Sequence, residues 1–160
     1  MSDAHEPQST ILWVEDNMDE EVLVLRAIRQ ASLACQVIVA HSVKEALDYL
    51  LARNAFHGHY PGIPDVIVTN LRIGAQSGED LIVEVRSRKE LRLIPVVVLT
   101  GGASPAKIDE LYRRGANSFI EKPTTSAEFS VLVANLARYW THFNRSVSRP
   151  KRTRNFPYAL

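Results

Sequence analysis

A single cysteine, Cys35, stands in the whole sequence. One thiol cannot build a disulfide scaffold or a cysteine zinc site, and a reducing cytoplasm becomes the expected compartment. Long apolar runs are missing too. The longest stretch without Asp, Glu, Lys or Arg is 14 residues, and the one at 93–106 contains two glycines and two prolines, so no transmembrane helix forms there and no membrane partner is expected. The amino terminus, MSDAHEPQS, lacks a basic start followed by an apolar run and is not a secretory signal. An excess of one charge is also absent, since the formal net charge is only +1. That total conceals a split. Residues 129–160 carry six basic side chains (Arg138, Arg145, Arg149, Lys151, Arg152, Arg154) and no acid, which leaves 13 basic against 18 acidic in residues 1–128.

Length and composition suit one folded domain: 160 residues, 46% hydrophobic and 23% charged. Five short apolar runs alternate with amphipathic stretches. The runs are Thr10–Val14, Cys35–Ala40, Val66–Thr69, Ile94–Leu99 and Asn117–Ile120. A helix over 18–31 places Met18, Val22, Leu25 and Ile28 on one face, with Asp19, Glu20 and Glu21 in its first turn. Ser42–Glu45 and Thr125–Glu128 read as capping boxes. Between them, the segment 56–64 is a loop by composition, including His57, His59 and Tyr60, and a further helix turns Leu81, Ile82 and Val85 inward. Ser104-Pro105 opens a helix with Ile108, Leu111 and Tyr112 facing in, and Gly115 closes it. Strands apolar on both faces, alternating with helices, predict an α/β fold: a doubly wound parallel sheet of five strands, (βα)5.

In an open sheet of this kind, function collects beyond the carboxyl ends of the strands. The residues there are Glu15, Asp16 and Asn17 after the first run, Asn70 and Arg72 after the third, Thr100 to Gly102 after the fourth, and Glu121 to Pro123 after the fifth. Brought together, Glu15, Asp16, Asn70, Thr100 and Lys122 make a pocket of two carboxylates, one amide, one hydroxyl and one ammonium. Paired acids suit a hard cation such as Mg²⁺, and the lysine and hydroxyl suit a phosphoryl group.

At these positions the chain resembles the receiver domain of two-component response regulators, a CheY-like family. The resemblance covers roughly residues 10–145 and rests on ILWVEDN, VIVTNLRI, Gly78, VVVLT and FIEKP in register. Within the family it looks most like the single-domain regulators that partner bacterial phytochromes. The resemblance implies a flavodoxin-like sheet of order 2-1-3-4-5 and a module that is not an enzyme. It implies that Glu15 and Asp16 hold Mg²⁺, with the Arg72 backbone carbonyl as third ligand. Thr100 would sense the phosphoryl group, Lys122 would bind one of its oxygens, and Phe119 would be the aromatic switch. Lys122–Pro123 is where the family often has a cis peptide. A sensor histidine kinase, phytochrome-like, is the implied partner.

Asn70 departs from the pattern. The family carries there the Asp that accepts phosphate, and an amide oxygen is a far poorer nucleophile than a carboxylate. The site also loses one acid, so Mg²⁺ should bind more weakly. On this resemblance the chain as written should be an atypical receiver, not phosphorylated in the ordinary way. Natural divergence and an engineered Asp→Asn change both fit. Arg72, Gly74 and Trp13 depart as well, which one engineered change leaves unexplained, and this favours divergence.

The ends of the chain carry a second expectation. A final helix over 126–144 spans about 28 Å and overhangs a strand of about 17 Å. Tyr139, Trp140 and Phe143 then sit on the overhang and point to a homodimer interface. The division expected is an N-terminal segment 1–9, a receiver 10–145 and a basic arm 146–160. Nothing after residue 145 is long enough for an output domain, so output should be docking to a kinase and self-association. The rival reading is a phosphorylation-independent adaptor whose basic arm meets an acidic partner or nucleic acid. Nucleic acid is disfavoured because the arm has no interleaved aromatics. A flavin site is opposed by the acids after the first strand. An aspartate-nucleophile phosphohydrolase lacks its nucleophile.

Overall fold

A computed structural model describes residues 9–58 and 62–147. The elements run β1 (Ser9–Val14), α1 (Met18–Gln30), β2 (Cys35–Ala40), α2 (Val43–Leu50), β3 (Val66–Asn70), β4 (Arg72–Ile73), β5 (Gln76–Ser77), α3 (Gly78–Ser87), β6 (Val96–Thr100), α4 (Pro105–Arg114), β7 (Ser118–Glu121) and α5 (Ser126–Arg138). Five strands form one parallel sheet in the order β2-β1-β3-β6-β7. This is the expected 2-1-3-4-5 order. The numbering differs because β4 and β5 make a separate two-residue antiparallel hairpin that the sequence pattern did not signal.

Alternation along the strands sorts the core into two layers. Leu12, Val14, Ile67, Val96 and Val98 face one way, toward Ala46 and Leu50 of α2, Leu81, Ile82 and Val85 of α3, and Leu111 of α4. Ile11, Trp13, Val66, Val68, Val97 and Leu99 face the other way, toward Val24, Ala27 and Ile28 of α1 and Phe129, Val133, Leu136 and Ala137 of α5. Both faces of the sheet are therefore covered, as strands apolar on each side require.

Helix starts follow side-chain chemistry. Asn17 caps α1, its Oδ1 accepting from the backbone of Asp19 and Glu20. Ser104 caps α4 ahead of Pro105, and Gly115 ends that helix at φ 111°, a conformation favouring glycine. Ser42 and Thr125 cap α2 and α5. The Glu45 carboxylate, however, accepts from the His41 N–H, one residue before the cap. The reciprocal capping box lies instead at Ser77 and Asp80 of α3.

Several expectations are corrected. Met18 and Val22 are exposed, because α1 turns Val24, Ala27 and Ile28 inward. Tyr112 is exposed, and its hydroxyl accepts from the Phe119 backbone N–H at 3.1 Å. No cis peptide occurs among the described residues, including Lys122–Pro123. The last helix does not stay α-helical to 144: it passes at Tyr139 into a π-helical turn that ends at Phe143. Trp140 is only partly exposed, since it packs against the layer formed by α1 and α5, while the carbonyl of Thr141 accepts from Ser9 Oγ at 3.3 Å. His59, Tyr60 and the arm from 148 onward lie outside the described residues.

Candidate functional site at the carboxyl edge of the sheet

The parallel register puts the ends of β1, β3, β6 and β7 side by side. Glu15, directly after β1, is held by its backbone N–H to the Ala40 carbonyl and is only 1% exposed. Its Oε1 accepts from the Asn17 N–H at 2.9 Å. Its Oε2 accepts from Asn70 Nδ2 at 2.7 Å. The Lys122 ammonium stands 3.8 Å from the same Oε2 and hydrogen-bonds directly to Glu20 of α1. Burial, the largest influence, pushes the Glu15 carboxyl up to about 7. A hydrogen bond with Glu20 adds to the rise, while the Asn17 and Asn70 donors and Lys122 oppose it.

Asn70 ends β3 and is 8% exposed. Its amide nitrogen is bonded to Glu15, but its Oδ1 is buried without a hydrogen-bond partner. Gly78 explains how the chain passes this point. A Cβ there would fall 2.3 Å from the Asn70 carbonyl oxygen, so only glycine lets the start of α3 approach the strand end. Asp16 is exposed, and its Oδ2 accepts from the Gly74 N–H at 2.8 Å, fastening the β4–β5 hairpin beside the acid pair.

Thr100 ends β6 and gives its hydroxyl hydrogen to the Gly102 carbonyl at 3.3 Å, within its own loop. Its carbonyl accepts from the Lys122 N–H at 2.8 Å. Arg72 is exposed and lines a cleft of about 410 Å³ with Thr100, Glu79, Ser104 and Lys107. Phe119 is half-buried against the layer of α2 to α4. Tyr139 and Phe143 lie far along α5 and its π turn, 51% and 69% exposed, with the Tyr139 ring edge-on to Trp140 at 5.1 Å.

Glu15, Asn70 and Lys122 are thus linked in one buried cluster, with Asp16 and Thr100 at its rim. Among the described residues no group of three or more His, Cys, Asp or Glu could hold a metal. The oxygen donors available are two carboxylates and one unpartnered amide oxygen. That set suits a hard cation in kind, with one acid fewer than three. Sequence reasoning missed Glu20. It was one of three acids assigned to the helix dipole, yet its place in the first turn of α1, whose side chains lean back over the helix start, brings it over the strand ends.

The response regulator receiver domain family matches residues 11–134. The probable methanogenesis regulatory protein FilR2 of Methanothrix harundinacea is 30% identical over 136 residues, covering 85% of this chain and 86% of that protein. The structure of the bacteriophytochrome response regulator RtBRR superposes with a TM-score of 0.69 at 30% identity, over 91% of this chain and 85% of that one. The phosphorylated cyanobacterial phytochrome response regulator RcpA has the same fold, with a TM-score of 0.80 at 24% identity over 88% of this chain and 99% of that one.

Proposed function

The chain belongs to the response regulator receiver family and is related to the phytochrome response regulators, and from that premise we propose that it signals through protein contacts without being phosphorylated in the ordinary way. The observation that carries this reading is Asn70. It sits at the end of β3, hydrogen-bonded at 2.7 Å to the Glu15 oxygen that Lys122 also faces, where the family places its phosphate-accepting Asp. Aspartyl phosphate forms when a carboxylate oxygen attacks phosphorus. The neutral amide has no such oxygen, and its nitrogen is already committed to Glu15. The module is a signalling domain and not an enzyme.

Receiver domains take a divalent cation. In this chain Glu15, Asp16, the unpartnered Asn70 Oδ1 and the Arg72 backbone carbonyl would hold Mg²⁺, more weakly than a site with a third acid. Bound Mg²⁺ would neutralise phosphoryl charge. Thr100 and Lys122 are the residues that would meet a phosphoryl group, and Phe119 is the switch position. The partner proposed is a sensor histidine kinase of the phytochrome type. Self-association is proposed through Tyr139 and Phe143, whose rings are exposed at the end of α5, with Trp140 supporting Tyr139 from behind. The setting proposed is the cytoplasm. In support, no helix among the described residues is long and apolar enough to cross a membrane.

The test is incubation of the native chain and of Asn70→Asp with phosphoramidate and Mg²⁺, read by intact mass. The native chain should stay unmodified while the variant gains a hydroxylamine-sensitive phosphoryl group. A hydroxylamine-sensitive label on the native chain would overturn the reading.

A further inference from the structure

We propose that Glu20 is a positioning residue for Lys122, an in-chain carboxylate that takes the place at the ammonium which a phosphoryl oxygen would otherwise occupy. The inference rests on the phosphoryl-pocket reading above and deepens it. Lys122 is only 16% exposed on its side chain, so its charge needs a partner inside the protein. The strand position that could offer one carries Asn70, whose free oxygen is neutral and makes no hydrogen bond. The negative partner comes instead from α1, by the direct hydrogen bond between Lys122 Nζ and Glu20 Oε2. Glu15 Oε2, at 3.8 Å, is the more distant second charge.

Glu20 is well fixed for this task. Its backbone N–H donates to the Asn17 cap, and α1 packs on α5 through Val24, Ala27 and Ile28. The Phe129 ring, 6.0 Å from the Lys122 nitrogen, closes the side toward α5. Glu20, Lys122 and Phe129 together wall a small cleft of about 150 Å³ at the start of α5. An anion approaching Lys122 must first break the Glu20 pair. Asn70 removes the nucleophile, and Glu20 occupies the ammonium, so the pocket is closed at two separate points. Restoring the acid at position 70 would reopen only one of them.

The test compares Asn70→Asp with Asn70→Asp/Glu20→Gln, each given phosphoramidate and Mg²⁺, with the rate of acyl phosphate formation followed by intact mass. The double variant should be labelled at least about tenfold faster, the scale of one charge-assisted hydrogen bond. In the otherwise native chain, Glu20→Gln should let inorganic phosphate shift the Lys122 amide resonance saturably, and Glu20→Asp should restore the closed behaviour. Equal labelling rates in the two variants would overturn the Glu20 role and leave the pocket reading standing. No label on either variant would overturn the pocket reading and the Glu20 role with it. Equal phosphate shifts in the native chain and Glu20→Gln, or none in either, would also overturn the Glu20 role.

Discussion

The Asn70 side-chain amide donates to Glu15 Oε2 across 2.7 Å, so a neutral donor lies where two carboxylates would repel. This single bond gives a buried acid a donor and takes up the Asn70 side-chain nitrogen at once. Replacing Asn70 by Asp removes the donor and adds a charge against Glu15. Without a divalent cation, Asn70→Asp should lose roughly 1–3 kcal/mol of stability. Mg²⁺ should recover most of that loss while barely moving the native chain. Thermal denaturation with and without Mg²⁺ measures both, and identical Mg²⁺ responses would refute the account.

Gly78→Ala probes how α3 reaches the strand end. The added methyl would sit 2.3 Å from the Asn70 carbonyl oxygen and 3.1 Å from Thr69 Cγ2. Backbone must shift, at a cost of about 1–3 kcal/mol. Denaturant unfolding reads the cost, and a variant as stable as the native chain would show that the loop gives way freely.

Arg86 ties three elements at the opposite edge of the sheet. Its guanidinium donates to the carbonyls of Gly115, Arg92 and Ile94 and to Asn117 Oδ1. Arg86→Ala should cost about 2–4 kcal/mol. Arg86→Lys should fail to restore it, since an ammonium cannot span four acceptors in a plane. Chemical denaturation of both variants tests this, and full rescue by lysine would contradict it.

His41 makes stability depend on pH. The hydrogen bond to Glu21 is the main cause that raises its imidazole above the ordinary 6.5, with Glu45 adding to it. The folded state therefore holds the proton more tightly than the unfolded chain. The contribution is complete below about 6.5 and is lost as pH rises through the folded value. His41→Gln should flatten that segment of the stability profile, seen as a smaller drop in melting temperature between mildly acidic and mildly alkaline buffer. An unchanged slope would remove His41 as the source.

The exposed rings of Tyr139 and Phe143 bear on self-association. Phe143→Ala should weaken it at least about tenfold, as loss of an interface anchor does, without altering the far-ultraviolet spectrum. Sedimentation equilibrium on native and variant chains decides it. A native chain that stays monomeric at high concentration would reject the interface.

The fold was legible because its signals are local. Five apolar runs, Ser104-Pro105, Gly115 and the inward face of α3 are all readable from neighbours within a few residues. The face of α1 was misread because Met18 and Val22 satisfy the helical period as well as Val24 and Ala27 do. Only packing on α5 selects between them. The β4–β5 hairpin escaped notice because two residues per strand carry no periodicity. Its hold on Asp16 is a contact across 58 positions.

The sequence by itself determined which functional groups the site holds. Residue identity decides that position 70 offers an amide, and the apolar runs place Glu15, Asp16, Thr100 and Lys122 at strand ends. Tertiary structure decided how those groups are spent. The Asn70 nitrogen goes to Glu15, the Lys122 charge to Glu20, and Trp140 to the domain's own core. Each choice depends on distances between segments far apart in the chain, and burial makes each one binding, because an unpaired charge or donor inside the protein is costly.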